Sequence, residues 1–222
     1  MPSVLVLEQA LNGLQFGLML FLLAAGLTLV FGVMDMINLA HGSLYMIGAF
    51  LGAWIVALTG SFVLGIVGAV AGTALFGMAL ESSLLRPLYA RDHLSQVLGT
   101  FALILILNDG TRMIFGNDLP LSAPAVLAGP VRLVAGLDYP AYRLVIIAAG
   151  LAIAALLYGL VARTRMGALV RAGAANREMA MAMGVDIKRL FTIVFGIGAG
   201  LCAVAGVLMG PLLAVQVGMG EN

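Results

Sequence analysis

Long uncharged apolar runs dominate the chain, and they are spaced as helices rather than strands. From Gln9 to Met34 no residue carries a charge, which predicts a first span over about Leu11–Met34. The next uncharged stretch, Met36–Leu80, is too long for one helix, and Gly60–Ser61 divides it into Leu44–Thr59 and Phe62–Leu80. Further spans are predicted at Leu94–Asn108, Leu144–Ala162 and Leu190–Val217. A helix rises about 1.5 Å per residue, so about 20 mainly apolar residues cross the roughly 30 Å of bilayer hydrocarbon. Helices satisfy their own backbone hydrogen bonds there, and no alternating ten-residue β pattern competes with these runs. The pattern predicts an all-α polytopic membrane bundle of about six transmembrane helices, a single transmembrane domain over residues 1–222.

The connections carry the remaining polar residues. Gly116–Pro140 contains Pro120, Pro124, Pro130 and Pro140, which predicts an interrupted loop rather than a helix. Arg163–Arg189 contains Arg163, Arg165, Arg171, Arg177, Lys188 and Arg189, and basic residues in short loops favour the cytoplasm. If that segment is inside and all six spans cross, Arg86 and Arg91 are inside as well, against Arg112, Arg132 and Arg143 outside. The N-terminus is then expected outside, in keeping with Glu8 and the absence of a basic residue before the first span. A cleaved signal peptide would want a basic n-region and a shorter apolar core, so none is expected.

Composition narrows the class. The chain is 63% apolar and 9% charged, with 29 glycines, where a soluble domain is about a quarter charged. Its formal net charge of +1 offers no basic field for a nucleic-acid backbone. One cysteine, Cys202, and two histidines, His41 and His93, predict neither a disulfide nor a metal site, and no cofactor is expected. Glycines four apart (Gly13/Gly17, Gly48/Gly52, Gly68/Gly72, Gly196/Gly200 and Gly206/Gly210) predict close helix packing rather than dimerisation. Gly196-Ile-Gly198-Ala-Gly200 follows no strand and is not read as a dinucleotide site.

Two segments stand apart as candidates for function. Asp35-Met-Ile-Asn-Leu-Ala-His-Gly42 holds an acid, an amide and an imidazole in an otherwise apolar half. One reading is a re-entrant segment near 36–43 in which Asn38 and His41 hold a broken helix beside a transport path, with Asp35 at its start. The other is an interfacial turn in which Asp35 is simply hydrated. The second segment is Asn176-Arg-Glu-Met-Ala-Met-Ala-Met-Gly184. Asn176 is a helix N-cap, Glu178 suits the first turn, and Gly184 can take the left-handed position after the helix. A helix of about two turns is predicted, with a Met/Ala surface suited to a cytoplasmic partner or, alternatively, to the lipid surface.

Glu178, Ala180 and Gly184 are similar to the Glu-Ala-Ala-x-x-x-Gly loop of ABC-importer permeases, with Met179 departing from its first alanine. Leu11-Asn-Gly13, Ala25-Gly26-Leu27-Thr28 and Ile37-Asn-Leu-Ala-His-Gly42 before Tyr45-Met-Ile-Gly48 resemble the amino-terminal half of LivH-type branched-chain amino acid permeases. Thr164-Arg-Met-Gly167, Arg171-Ala and Ala203-Val-Ala-Gly206-Val-Leu resemble the later half of that family, so the resemblance runs from about residue 11 to 220.

The resemblance implies a non-catalytic, multi-pass subunit of the bacterial inner (plasma) membrane that forms half of a translocation pathway. It implies a second related permease, two cytoplasmic ATP-binding subunits and a periplasmic substrate-binding protein as partners, with 163–189 as the coupling loop. No Gly-x-x-x-x-Gly-Lys-Ser/Thr loop occurs and Lys188 is the only lysine, so ATP hydrolysis is expected in a partner chain. Leucine, isoleucine and valine are the family default, while relatives carry urea, other amides and aromatic acids. Members of the family usually continue with further spans after Gly218-Met-Gly220, so the chain is expected to be C-terminally incomplete. The alternative function is a secondary transporter or channel for a small polar or amphipathic solute. Ion-coupled carriers usually need an intramembrane acid or base, and only Asp35 and Asp109 lie near the predicted spans. A hydrolase built on His41 and Ser43 is the weakest reading, because two positions apart on a helix they diverge by about 200°.

Overall fold

The computed structural model describes every residue except 1, 37, 135, 136 and 222. Its helices are α1 (Pro2–Met34), α2 (His41–Thr59), α3 (Phe62–Leu80), α4 (His93–Phe115), α5 (Ala141–Arg163), α6 (Arg165–Ala175), α7 (Arg177–Ala182) and α8 (Ile187–Leu213). Six helices among the described residues, all but α6 and α7, are long and apolar enough to cross a membrane. Their order and number match the pattern of apolar runs, and α3 has the predicted limits. Ser61 caps it by accepting a hydrogen bond from the Leu64 N–H, and Gly60 at φ +68° makes the turn out of α2.

Helix α8 is the axis of the bundle and packs on α1, α2 and α3. Small residues make this approach close. A Cβ on Gly48 would overlap Ala203, one on Gly206 would overlap the Tyr45 carbonyl, and one on Gly77 would come 2.8 Å from Ala199 Cβ. Gly48/Gly52, Gly68/Gly72, Gly196 and Gly206/Gly210 all face close neighbours and Gly200 an ordinary contact at 3.5 Å, whereas Gly13 and Gly17 face nothing within 4 Å. The first glycine pair therefore does not serve packing within the chain.

Several predicted boundaries shift. Helix α8 stops at Leu213 rather than Val217, because Ala214 takes φ +65° and Val215–Gln216 (β4) pairs antiparallel with Asp118–Leu119 (β1). Helix α4 runs on past Asn108 through an exposed Asp109–Arg112 pair, 3.8 Å apart, to Gly116 at φ +88°. The proline-rich loop holds a hairpin of β2 (Pro130–Val134) and β3 (Leu137–Pro140). The basic 163–189 segment contains an additional helix, α6, capped by the Thr164 side chain, which accepts a hydrogen bond from the Gly167 N–H at 3.1 Å.

The bundle has two unlike ends. The hairpin end carries the Gly60–Ser61 turn, the 116–140 loop and the close of α8. The basic end gathers Asp35, the Arg86–Arg91 turn, α6, α7 and the start of α8. The two basic connections thus lie at one end and the proline-rich loop at the other.

Candidate functional site

At the basic end, α7 is shaped by its sequence at both termini. The Asn176 side chain accepts a hydrogen bond from the Met179 N–H at 2.9 Å, and Glu178 lies in the first turn. At the other end Gly184 takes φ +85°, its N–H donates to Met181 O at 2.9 Å, and the Val185 N–H donates to Ala180 O at 3.0 Å. This pair of bonds is a Schellman closure, which favours glycine at the left-handed position. Ala180 is buried against the bundle, and Glu178 and Gly184 are exposed. Met179, Met181 and Met183 stand out at 61%, 52% and 79% exposure, so the methionines form a bare apolar rim.

The 35–42 segment divides between the two readings offered by the sequence. Asp35 is exposed at the basic end, at φ +51°, and with Asn176, Arg177 and Glu178 lines a cleft of about 440 Å³. It is open to solvent in the isolated chain, as the interfacial reading expects. Six residues later His41 lies inside the bundle, its Nε2 3.1 Å from Cys202 Sγ. Cys202 is fifteen residues into α8, about 22 Å along it at about 1.5 Å per residue. Gly26, whose added Cβ would lie 3.1 Å from His41 Nε2, is about 12 Å short of the end of α1. The chain therefore turns back into the bundle between Asp35 and His41, and α2 begins at depth.

The structure separates Asp35 from Asn38 and His41 rather than bringing the three together. Asn38 is buried, and its Oδ1 accepts a hydrogen bond from the Ala40 N–H at 3.1 Å, bracing the turn. Asn38 Nδ2 and Ser43 Oγ are buried without a hydrogen-bond partner among the described residues. Ile37, part of the resemblance, lies outside the described residues. His41 faces Cys202, so no His41–Ser43 pair of the kind a hydrolase would use is formed.

The acid that the sequence reading missed is Glu81. The α-helical repeat ends at Leu80, and the chain continues as a π-helical turn, Glu81–Leu85, and a 3-10 turn, Arg86–Ala90. The π-turn bonds residues five apart and brings Glu81 and Arg86 to one side. The Glu81 side chain is fully buried. Its oxygens accept from Arg86 Nη2 at 2.9 Å, Arg86 Nε at 3.3 Å, Tyr89 Oη at 2.9 Å and Thr192 Oγ1 at 2.7 Å. An ion-coupled carrier needs an acid that can exchange its ion, and this one is sealed and paired. The signal available in the sequence was Glu81 and Arg86 at π spacing, directly after an apolar run.

Six apolar helices around a small-residue axis, with a chain re-entering at depth and a capped short helix at the basic end, define a multi-pass helical membrane protein. Residues 9–220 match the family described as branched-chain amino acid transport system, permease component. The chain belongs to that family. It is 29% identical to the high-affinity branched-chain amino acid transport system permease protein LivH of Salmonella typhimurium, over 94% of this chain and 72% of the relative. It is 30% identical to LivH of Escherichia coli K12 over the same shares. To the corresponding permease protein BraD of Pseudomonas aeruginosa it is 30% identical, over 95% of this chain and 73% of the relative. No solved structure gives a significant match.

Proposed function

We propose that this chain is the non-catalytic membrane-spanning permease subunit of an ABC importer for branched-chain or related amino acids. It forms half of the translocation pathway together with a second related permease, in the bacterial inner membrane. Its basic end faces the cytoplasm and its hairpin end the periplasm, where a substrate-binding protein delivers the solute. Two cytoplasmic ATP-binding subunits supply the energy, and one of them docks on α7 through Glu178, Ala180 and Gly184. Asn38 and His41 hold the returning segment beside the pathway.

The observation that carries this reading is α7 itself. A six-residue helix is marginal alone, because helix nucleation is costly, yet this one is closed at both ends and holds three methionines outward. Polarisable, flexible methionines suit a surface that must accept a partner. Family membership supplies the chemistry of that partner, since the named relatives are permease proteins of transport systems.

The test is a pull-down from membranes that co-express the permease with its ATP-binding subunits. Replacing Met181 and Met183 by glutamate leaves insertion unchanged, as both side chains are more than half exposed. The ATPase recovered with the permease should fall at least tenfold. Recovery at the unsubstituted level overturns the docking role of α7.

A further inference from the structure

Glu81 is the one buried acidic side chain among the described residues, and it joins elements that are distant in sequence. Arg86 Nη2 donates to Thr192 Oγ1 at 2.7 Å while the Thr192 hydroxyl donates to Glu81, closing a triangle between the end of α3 and the start of α8. Tyr89, whose hydroxyl donates to Glu81, has its ring edge-on to Phe191 with centroids 5.5 Å apart. The other partner of Phe191 is Arg177 of α7, whose guanidinium carbon lies 5.4 Å from the ring centroid. Tyr89 Oη also lies 3.3 Å from Met34 Sδ, at the close of α1. A continuous series of contacts thus runs from α7 through Arg177, Phe191 and Tyr89 to Glu81 at the base of α3.

We propose that Glu81 is a positioning residue of the transport cycle: it fastens α3 to the start of α8 and to α7, so that a displacement imposed on α7 reaches α3. The proposal rests on the reading of α7 as the ATPase docking helix and adds the route by which its movement enters the bundle. Without the clamp, the stretch Gly184–Asp186 between α7 and α8 would let α7 move alone. With it, α3 moves too, and α3 packs on α8 at Gly77–Ala199 and Met78–Gly196. A fully satisfied buried polar network is rigid, which is the property a transmitting joint requires.

The chemistry selects the variants. All four groups facing the carboxylate donate, so Glu81→Gln places an NH2 group against donors on one side. Thr192→Val removes the hydroxyl that both accepts from Arg86 and donates to Glu81, while Thr192→Ser keeps it. The complete transporter, with ATP-binding subunits and binding protein, is reconstituted in liposomes and the leucine moved per ATP hydrolysed is measured. In Glu81→Gln and Thr192→Val the ATPase should remain bound at its usual ratio, while leucine moved per ATP falls at least fivefold. Thr192→Ser should return to within about twofold.

An unchanged leucine-to-ATP ratio in Thr192→Val overturns the proposal. Loss of the ATPase from that variant also overturns it, because the network would then maintain the docking surface rather than transmit movement. If Glu81→Gln fails to insert, the two Thr192 variants decide alone. Retention of the ATPase by the Met181→Glu, Met183→Glu variant overturns the docking reading separately.

Discussion

Gly184 offers the sharpest test of α7, because the space around it isolates backbone conformation from packing. A Cβ built there meets nothing within 4 Å, so a substitution brings no collision. What it meets is φ +85°, a left-handed value that places Cβ too close to the following carbonyl oxygen. That conformation costs an ordinary L-residue roughly 1–2 kcal/mol, asparagine less, and a β-branched residue the upper end. The cost falls on a helix of six residues whose closing bonds, Gly184 N–H to Met181 O and Val185 N–H to Ala180 O, depend on this one conformation. If docking requires the closed form, affinity falls with its population, and 1.4 kcal/mol is about tenfold. The expected series is Gly184→Asn within about threefold of glycine, Gly184→Ala weaker by about five- to tenfold, and Gly184→Val weaker by up to about thirtyfold. Purified ATP-binding subunit is titrated onto the permease in nanodiscs and binding is read by interferometry, with insertion checked by size-exclusion profile. Equal affinity across the series, or equal loss with asparagine and valine, refutes the argument that the left-handed closure presents the docking surface.

Two further predictions concern the bundle. Replacing Asn38 and His41 together by alanine should reduce leucine uptake at least fivefold while leaving ATPase recovery unchanged, since both side chains are buried and neither belongs to the exposed surface of α7; normal uptake would assign the returning segment a structural role only. In a Cys202→Ala background, single cysteines at exposed positions 176 and 118 should react with an impermeant maleimide from opposite faces, the former only after the inner face is opened; labelling of 176 from the periplasm reverses the topology.

What was legible in the sequence follows from how local the cause was. The limits of α3 and α7 rest on side chains a few residues away, Ser61 on Leu64 N–H and Asn176 on Met179 N–H, and such signals can be read directly. The α6 helix was also written locally, in Thr164 three before Gly167 and in Gly167, Val170 and Gly173 on one buried face, but its basic residues give that stretch the composition of a polar loop. The early end of α8 was not legible. It depends on Ala214 at positive φ and on pairing with residues near 118, almost a hundred positions away. Glu81 was hidden by a change of helical period, because residues five apart on an α-helix diverge by about 140° while a π-turn aligns them.

Glu81 and Asn38 are polar groups at the interior of the same apolar bundle, yet their surroundings assign them opposite duties. Every lone-pair direction of the Glu81 carboxylate is taken by a donor, three of them from Arg86 and Tyr89 on the turns that follow α3 and one from Thr192 on α8. Two charge-assisted bonds, Thr192 to Glu81 and Arg86 to Thr192, cross from the end of α3 to α8, and bonds to charged groups contribute about 1.5–3 kcal/mol each, which is why α3 and α8 should travel as one piece. Asn38 is braced on one side only, by Ala40 N–H, and its amide donors are unmet by protein among the described residues, as is the hydroxyl of Ser43. An unmet buried donor costs about 1–3 kcal/mol, so Asn38 is not held from every side as Glu81 is. A joint must be satisfied within the protein, whereas a pathway must keep hydrogen-bonding capacity for something that passes. On the proposed reading, the base of α3 transmits, and the start of α2, where Asn38 keeps an amide donor unmet by protein, lies beside the pathway.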